Sequence, residues 1–208
     1  MNLKSRSVVV FDVGNVLITW HPRHLYRKVF NGDDNRMTWF LANITTPAWN
    51  IEQDRGRSFA DGIAELVAQH PEWAAEIRAF DTRWHEMIPG AIDENVRILD
   101  HLRANDVPVY AITNFSREKW AECCERFRFL TQFKGTVVSA HERILKPDPA
   151  IFQTLCKRYT LDPQDCVFID DSQANVATAQ NLGMAAIHAI PEADIRTELM
   201  SLGFDMPT

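Results

Sequence analysis

The stretch Val8-Val-Val-Phe-Asp-Val-Gly-Asn15 is a four-residue apolar run that stops at a carboxylate and a glycine. Three valines and a phenylalanine leave no polar face. Such a run is buried on both sides, as a strand in the middle of a parallel sheet is. Gly14 marks the turn that follows, so Asp12 stands at the strand's C-terminal end.

Two kinds of sequence follow this strand. From 20 to 86, apolar residues recur at three- and four-residue spacing, as in Leu25, Val29 and Phe30 or Ile63, Leu66 and Val67. Breakers at Asn31-Gly32 and His70-Pro71 divide the segment, which predicts an insert of four or five helices. From about residue 89, helix and strand patterns alternate. Helices are expected at 94–104, 117–127, 149–159, 174–182 and from about 193; strands are expected at 107–112, 135–139, 166–169 and 185–190. This alternation predicts an α/β fold with a doubly wound parallel Rossmann-like sheet. The expected division is a core of residues 1–19 and 87–208 with a helical cap of residues 20–86.

Ligands of such sheets bind at the C-terminal ends of the strands. Asp12 ends the first strand, and Thr113-Asn114 follow the strand at 107–112. Lys146 lies in the loop beyond the strand at 135–139, and Asp170-Asp171 follow the strand at 166–169. One sheet edge thereby collects three carboxylates, a hydroxyl and an ammonium. Clustered carboxylates repel one another unless a cation offsets them. Mg²⁺ is the hard cation that accepts a few protein oxygens together with substrate phosphate. The set therefore suits attack by Asp12 on a phosphoryl group, with Lys146 balancing charge.

The segments Phe11-Asp-Val-Gly-Asn-Val-Leu17, Ile112-Thr-Asn114, Lys146-Pro-Asp-Pro-Ala-Ile-Phe152 and Val167-Phe-Ile-Asp-Asp-Ser172 resemble, in order, the four motifs of the haloacid dehalogenase-like (HAD) superfamily. The helical insert matches the position of that family's helical cap. The Asp-x-Gly-Asn-Val form is similar to a branch containing sugar-phosphate phosphatases of the glucose-1-phosphate phosphatase kind. The resemblance implies a hydrolase acting on phosphoric monoesters, with Asp12 as nucleophile and magnesium ligand. It implies that Gly14 offers its carbonyl to the metal and that Thr113 and Asn114 hold phosphate. Lys146 would balance charge, Asp171 would be the main motif-four ligand, and Asp170 would bind the metal or its water shell.

Position 14 departs from the pattern, because most phosphatases of the family carry there a second aspartate that protonates the leaving group. Glycine supplies no proton. Either the leaving group needs little protonation, or another group such as His21 or His24 assists. Two alternatives to a phosphatase remain. One is a 2-haloacid dehalogenase using Asp12 without metal, against which Asp170-Asp171 argue. The other is a non-catalytic metabolite-binding protein of the same fold.

Other features bear on the pocket. Trp20 and Trp49 are candidate pocket walls, and most of the six tryptophans are expected in or near the cap's core. Glu52-Gln-Asp-Arg-Gly56 is either a cap loop that reaches the active site or a solvated helix end. Ser116 and Asp148 are expected as helix caps and Asn175 as a support of the motif-four loop.

Composition narrows the partners. The net charge of −6 argues against a broad nucleic-acid surface and leaves room for a small phosphorylated metabolite. Residues 1–7 lack a signal-peptide pattern, no 18-residue apolar run suggests a membrane span, and the four cysteines have no metal spacing. A cytoplasmic protein, monomeric or homodimeric, is the expectation.

Overall fold

A computed structural model describes residues 6–206; most of the expected leader-free segment 1–7 lies outside them. In chain order the elements are β1 (Val8–Phe11), α1 (Arg23–Val29), α2 (Asp34–Asn43), α3 (Pro47–Asp54), α4 (Phe59–Gln69), α5 (Ala74–Thr82), α6 (Asp93–Ala104) and β2 (Val109–Thr113). There follow α7 (Arg117–Arg126), β3 (Gly135–Val138), α8 (Ser139–Glu142), α9 (Pro149–Tyr159), β4 (Cys166–Asp170), α10 (Gln173–Asn181), β5 (Ala185–His188) and α11 (Ile195–Ser201).

The five strands form one parallel sheet in the order β3-β2-β1-β4-β5. The apolar run that opens the chain is thus the central strand, completely covered on both sides. Its alternate residues feed two cores. Val9 and Phe11 pack with Leu99 and Leu102 of α6 and Leu199 of α11. Val8 and Val10 pack with Phe152 and Leu155 of α9. Each fully buried side chain of this size contributes roughly 1.5–3 kcal/mol.

Successive strands lie first on one side of β1 and then on the other, so the order reverses at β1 and opens a crevice at the strands' C-terminal ends. Two strands run one residue further than the sequence predicts. Thr113 still pairs with Val138, and Asp170 with His188. Thr113 and Asp170 are therefore held by sheet geometry rather than by a loop.

Between β1 and α6 stand five α-helices with an aromatic core of Tyr26, Phe30, Phe40, Phe59 and Phe80. Thr46 caps α3 and Ser58 caps α4 through their side chains. The bundle docks on α7 through Lys119. This buried ammonium pairs with Asp81 of α5 at 2.7 Å and lies over the rings of Phe59 and Trp84.

Gly135 opens β3 flat against the Tyr159 ring, whose hydroxyl accepts a hydrogen bond from Thr136 N at 3.2 Å. A methyl group at 135 would collide with that ring. Gly135→Ala should destabilise the protein by about 1–3 kcal/mol. Denaturant unfolding checks this, and an unchanged midpoint would contradict the packing described.

Candidate active site

Asp12 leaves β1 with its Oδ1 accepting from its neighbour Val13 N at 2.7 Å. The same oxygen meets Lys146 Nζ at 2.7 Å. Lys146 comes from the loop between α8 and α9, yet only 1% of its side chain is exposed. Its other two protons go to Asp170 Oδ2 at 2.6 Å and to the Ile112 carbonyl at 3.1 Å. All three donors of the ammonium are thereby used.

Asp170 faces inward. Its Oδ1 accepts from Ser172 N at 2.8 Å and from Asn175 Nδ2 at 2.9 Å. Asp171 is half-buried, and the Asn15 side chain hydrogen-bonds it. Asn15 sits at φ 55° and also accepts from Trp20 N at 3.0 Å. Asparagine tolerates that left-handed conformation better than most residues. His188, at the end of β5, places Nε2 2.9 Å from the Asp171 carbonyl. Neither Asn15 nor His188 was expected here, although His188 could have been found by the same strand-end reasoning.

Asp12, Asp170 and Asp171 each bring an oxygen within 4.8 Å of the others. Lys146 is the one ammonium bonded into this cluster among the described residues. Burial and the clustered charges both shift these groups. Burial pushes Asp12 up to about 7 although Lys146 opposes it, and Asp170 raises it further. Burial and then Asp170 raise Asp171. Burial pulls Lys146 down, but Asp12 and Asp170 outweigh it and hold the lysine above its ordinary value. An oxygen-only donor set with surplus negative charge fits a hard divalent cation such as Mg²⁺.

The hydroxyl of Thr113 is buried and has no hydrogen-bond partner. A buried unpaired donor at the end of β2, the strand next to β1, fits an anionic oxygen. Asn114 also has a partner that the sequence did not show. Its amide donates to the Lys146 carbonyl at 3.0 Å and accepts from Lys146 N at 2.8 Å. These two bonds hold the lysine loop, and the amide has a second proton where the residue lines the cavity between sheet edge and helical bundle. Ser116, Asp148 and Asn175 act as the sequence predicts, two as helix caps and the third on Asp170.

A cavity of about 100 Å³ lies between the sheet edge and the helical bundle. Gly14, Asn114 and Ser116 line it from one side, and Trp20, Asn50 and Asp54 from the other. A larger hollow of about 530 Å³ within the bundle shares Trp20, Asn50 and Asp54 and is walled by Leu41, Ile51 and Phe80. Trp20 is therefore a wall of both. Trp49 is not: its Nε1 bonds the Gly62 carbonyl at 3.2 Å and its ring packs on Phe80 inside the bundle. The Glu52–Gly56 segment is the end of α3, and its Asp54 reaches the cavity. His21 lines only the larger hollow and His24 is exposed, so neither lies on the cavity that Gly14 lines.

The sequence model of haloacid dehalogenase-like hydrolases matches residues 7–183. The chain belongs to that family. Among curated relatives of this HAD-like hydrolase, a sesquiterpene phosphatase of Aspergillus oryzae is 27% identical, over 94% of this chain and 96% of its own length. The acyl-CoA dehydrogenase family member 10 of mouse is 38% identical over 98% of this chain, which spans only 20% of that protein. A HAD family enzyme of Bacteroides thetaiotaomicron, solved with magnesium and inorganic phosphate, has the same fold: TM-score 0.74, 21% identity, 93% of this chain and 98% of that one. Among the described residues, no helix is long and apolar enough to cross a membrane.

The raised Asp12 has a consequence for stability. A carboxyl with a folded-state value near 7 and an unfolded value of 3.8 binds its proton more tightly when folded. Its stabilising contribution is full at low pH and is lost as pH rises toward 7. In chelator, Asp12→Asn should therefore gain on the wild type as pH rises from acidic to neutral, and the gain should level off above. Paired thermal melts would show it; a gap that shrinks over that range would contradict the buried, raised state of Asp12.

Proposed function

We propose that this HAD-like hydrolase is a Mg²⁺-dependent phosphatase that cleaves a small phosphorylated metabolite through an aspartyl-phosphate on Asp12. The observation carrying this reading is the charge count. Three converging carboxylates meet one ammonium, beside a buried hydroxyl with no partner.

Asp12 Oδ1 is engaged by Val13 and Lys146, which leaves Oδ2 as the attacking oxygen. Lys146 fixes the carboxylate's orientation, so little is lost in aligning it for attack. The Thr113 hydroxyl would donate to a non-bridging phosphoryl oxygen. Asn114 would act by holding the Lys146 loop. Asp12, the Gly14 carbonyl and Asp171 would hold the metal, with Asp170 behind them. When bound, Mg²⁺ supplies charge neutralisation and polarisation of the phosphoryl oxygens.

Residues 20–86 act as a cap over a core formed by 1–19 and 87–208, and the leaving group lies between them. The hollow beyond Trp20, with Leu41, Ile51 and Phe80 in its wall, suits an organic leaving group with an apolar part. The resemblance to a sesquiterpene phosphatase supports such a group as readily as a sugar. A dehalogenase would bring an anionic substrate to three carboxylates offset by Lys146 alone, which the charge count disfavours. A protein that only bound metabolites would have no use for a buried Asp12–Lys146 pair, whose desolvation is costly.

The purified protein should hydrolyse p-nitrophenyl phosphate with Mg²⁺ and not in chelator, and Asp12→Asn should bring the rate to background. Asp171→Ala should raise the Mg²⁺ concentration for half-activity by at least about tenfold. Full activity in chelator with halide released from a 2-haloacid would overturn the proposal.

A further inference from the structure

Gly14 supplies no side-chain acid two residues beyond Asp12. Across the same cavity stands Asp54, the last residue of α3. We propose that Asp54 is the general acid–base of this hydrolase, donating a proton to the leaving-group oxygen and later accepting one from the water that frees Asp12. The proposal rests on the phosphatase reading of the Asp12 site.

Four observations lead to it. A Cβ added at Gly14 would meet no atom within 4 Å, so the place where an acid could stand is open space. Of the side chains lining that cavity, Asp54 alone is an acid or base; the others are tryptophan, phenylalanine, asparagine and serine. Its backbone is pinned to the sheet edge: the buried Ser139 hydroxyl donates to the Asp54 carbonyl at 2.6 Å and accepts from Phe115 N at 2.9 Å. And apart from one hydrogen bond accepted from the Ser116 backbone, no contact favours a charged group there. A negative charge at a helix C-terminus opposes the helix dipole. Among the described residues no cation pairs with it.

The electrostatic setting agrees. Burial pushes Asp54 up to about 7, opposed only by a hydrogen bond from the Ser116 backbone. An acid near neutrality is present in both forms, as a group that first gives and then takes a proton requires. The charged and titratable groups around it are otherwise engaged. Glu52 and Arg55 pair with each other at 3.4 Å, Glu118 accepts from Phe59 N, and Glu142 pairs with Arg158. Arg143 lies against Gly56. His21 and Arg23 line the larger hollow, where burial and then Arg23 lower the histidine. His21 Nδ1 accepts from Arg23 N at 3.0 Å and stays on that side.

The two steps balance. As Asp12 Oδ2 bonds to phosphorus, the bond from phosphorus to the leaving oxygen breaks, and that oxygen takes the proton of Asp54. Next, water oxygen bonds to phosphorus while its proton passes to the Asp54 carboxylate. The bond to Asp12 breaks, inorganic phosphate leaves, and both carboxyl groups return to their starting states.

Asp54→Asn is the direct test, with Mg²⁺ and two substrates. An alkyl phosphate needs its leaving oxygen protonated; p-nitrophenyl phosphate does not. The variant should lose about 10²- to 10⁴-fold in kcat/KM on the alkyl ester. It should keep the initial burst of nitrophenol and lose the decline of alkyl-ester turnover above neutral pH. Adding Gly14→Asp to Asp54→Asn should restore alkyl-ester turnover, because the open space beside residue 14 accepts the side chain. Equal losses on both substrates with an unchanged pH profile, or no loss on either, would overturn the proposal. So would a carboxyl NMR titration, assigned with Asp54→Asn, that places Asp54 in the ordinary carboxylate range, whether or not phosphate esters turn over. A wild type inert toward phosphate esters would remove the phosphatase reading and this proposal together. An active wild type matched by Asp54→Asn would remove this one alone.

Discussion

Lys146 holds its ammonium between Asp12 and Asp170, with the Ile112 carbonyl closing the third contact. Taking such a charge out of water costs several kcal/mol, and removing one partner of a buried pair typically costs about 3–5 kcal/mol. The surrounding structure is arranged to keep the partners in place. Asp170 is fixed by the last rung of β4 and by Asn175. The lysine's backbone is fixed by both ends of the Asn114 amide. Residues from four separate segments are thereby tied to one ammonium. Val13 N and Lys146 both hold Asp12 by one oxygen, Oδ1, and in the proposed reaction the other oxygen attacks.

The same arrangement explains why the site is left short of positive charge. One ammonium serves three carboxylates, and burial raises Asp12 rather than settling it as a stable anion. A site built for its own stability would replace one carboxylate by a neutral group. Retaining all three stores a demand for a cation, which the family's chemistry meets with magnesium in the reading proposed here. The helical bundle completes the site from the opposite side. Its docking through Lys119 on Asp81, and through Ser139 on the end of α3, sets what faces the cavity.

The sheet edge was legible in the chain because strand ends are a local property. Val8–Phe11 has no polar face, so it had to be central, and Asp12 had to emerge at its end. Lys146 and the Asp170-Asp171 pair followed from the same periodicity. What escaped depends on distances between segments far apart in sequence. The tie of the Asn114 amide to a loop 32 residues on was not visible locally. Trp49 was expected at a pocket wall, but the crossing of α3 and α4 turns it onto Gly62 and Phe80. Asp54 was visible only as part of a charged segment that could as well have been a solvated helix end. Its place opposite Gly14 comes from how α3 docks, which no local pattern encodes.

The central claim is that Asp12 becomes bonded to phosphorus. Acid-quenching the protein during turnover of a phosphate ester with Mg²⁺, followed by peptide mapping by mass spectrometry, tests it most directly. The account predicts one phosphoryl group on the peptide containing Asp12, absent in chelator and lost again once substrate is exhausted. A phosphoryl group on any other residue, or none during demonstrable turnover that inverts configuration at phosphorus, would contradict it.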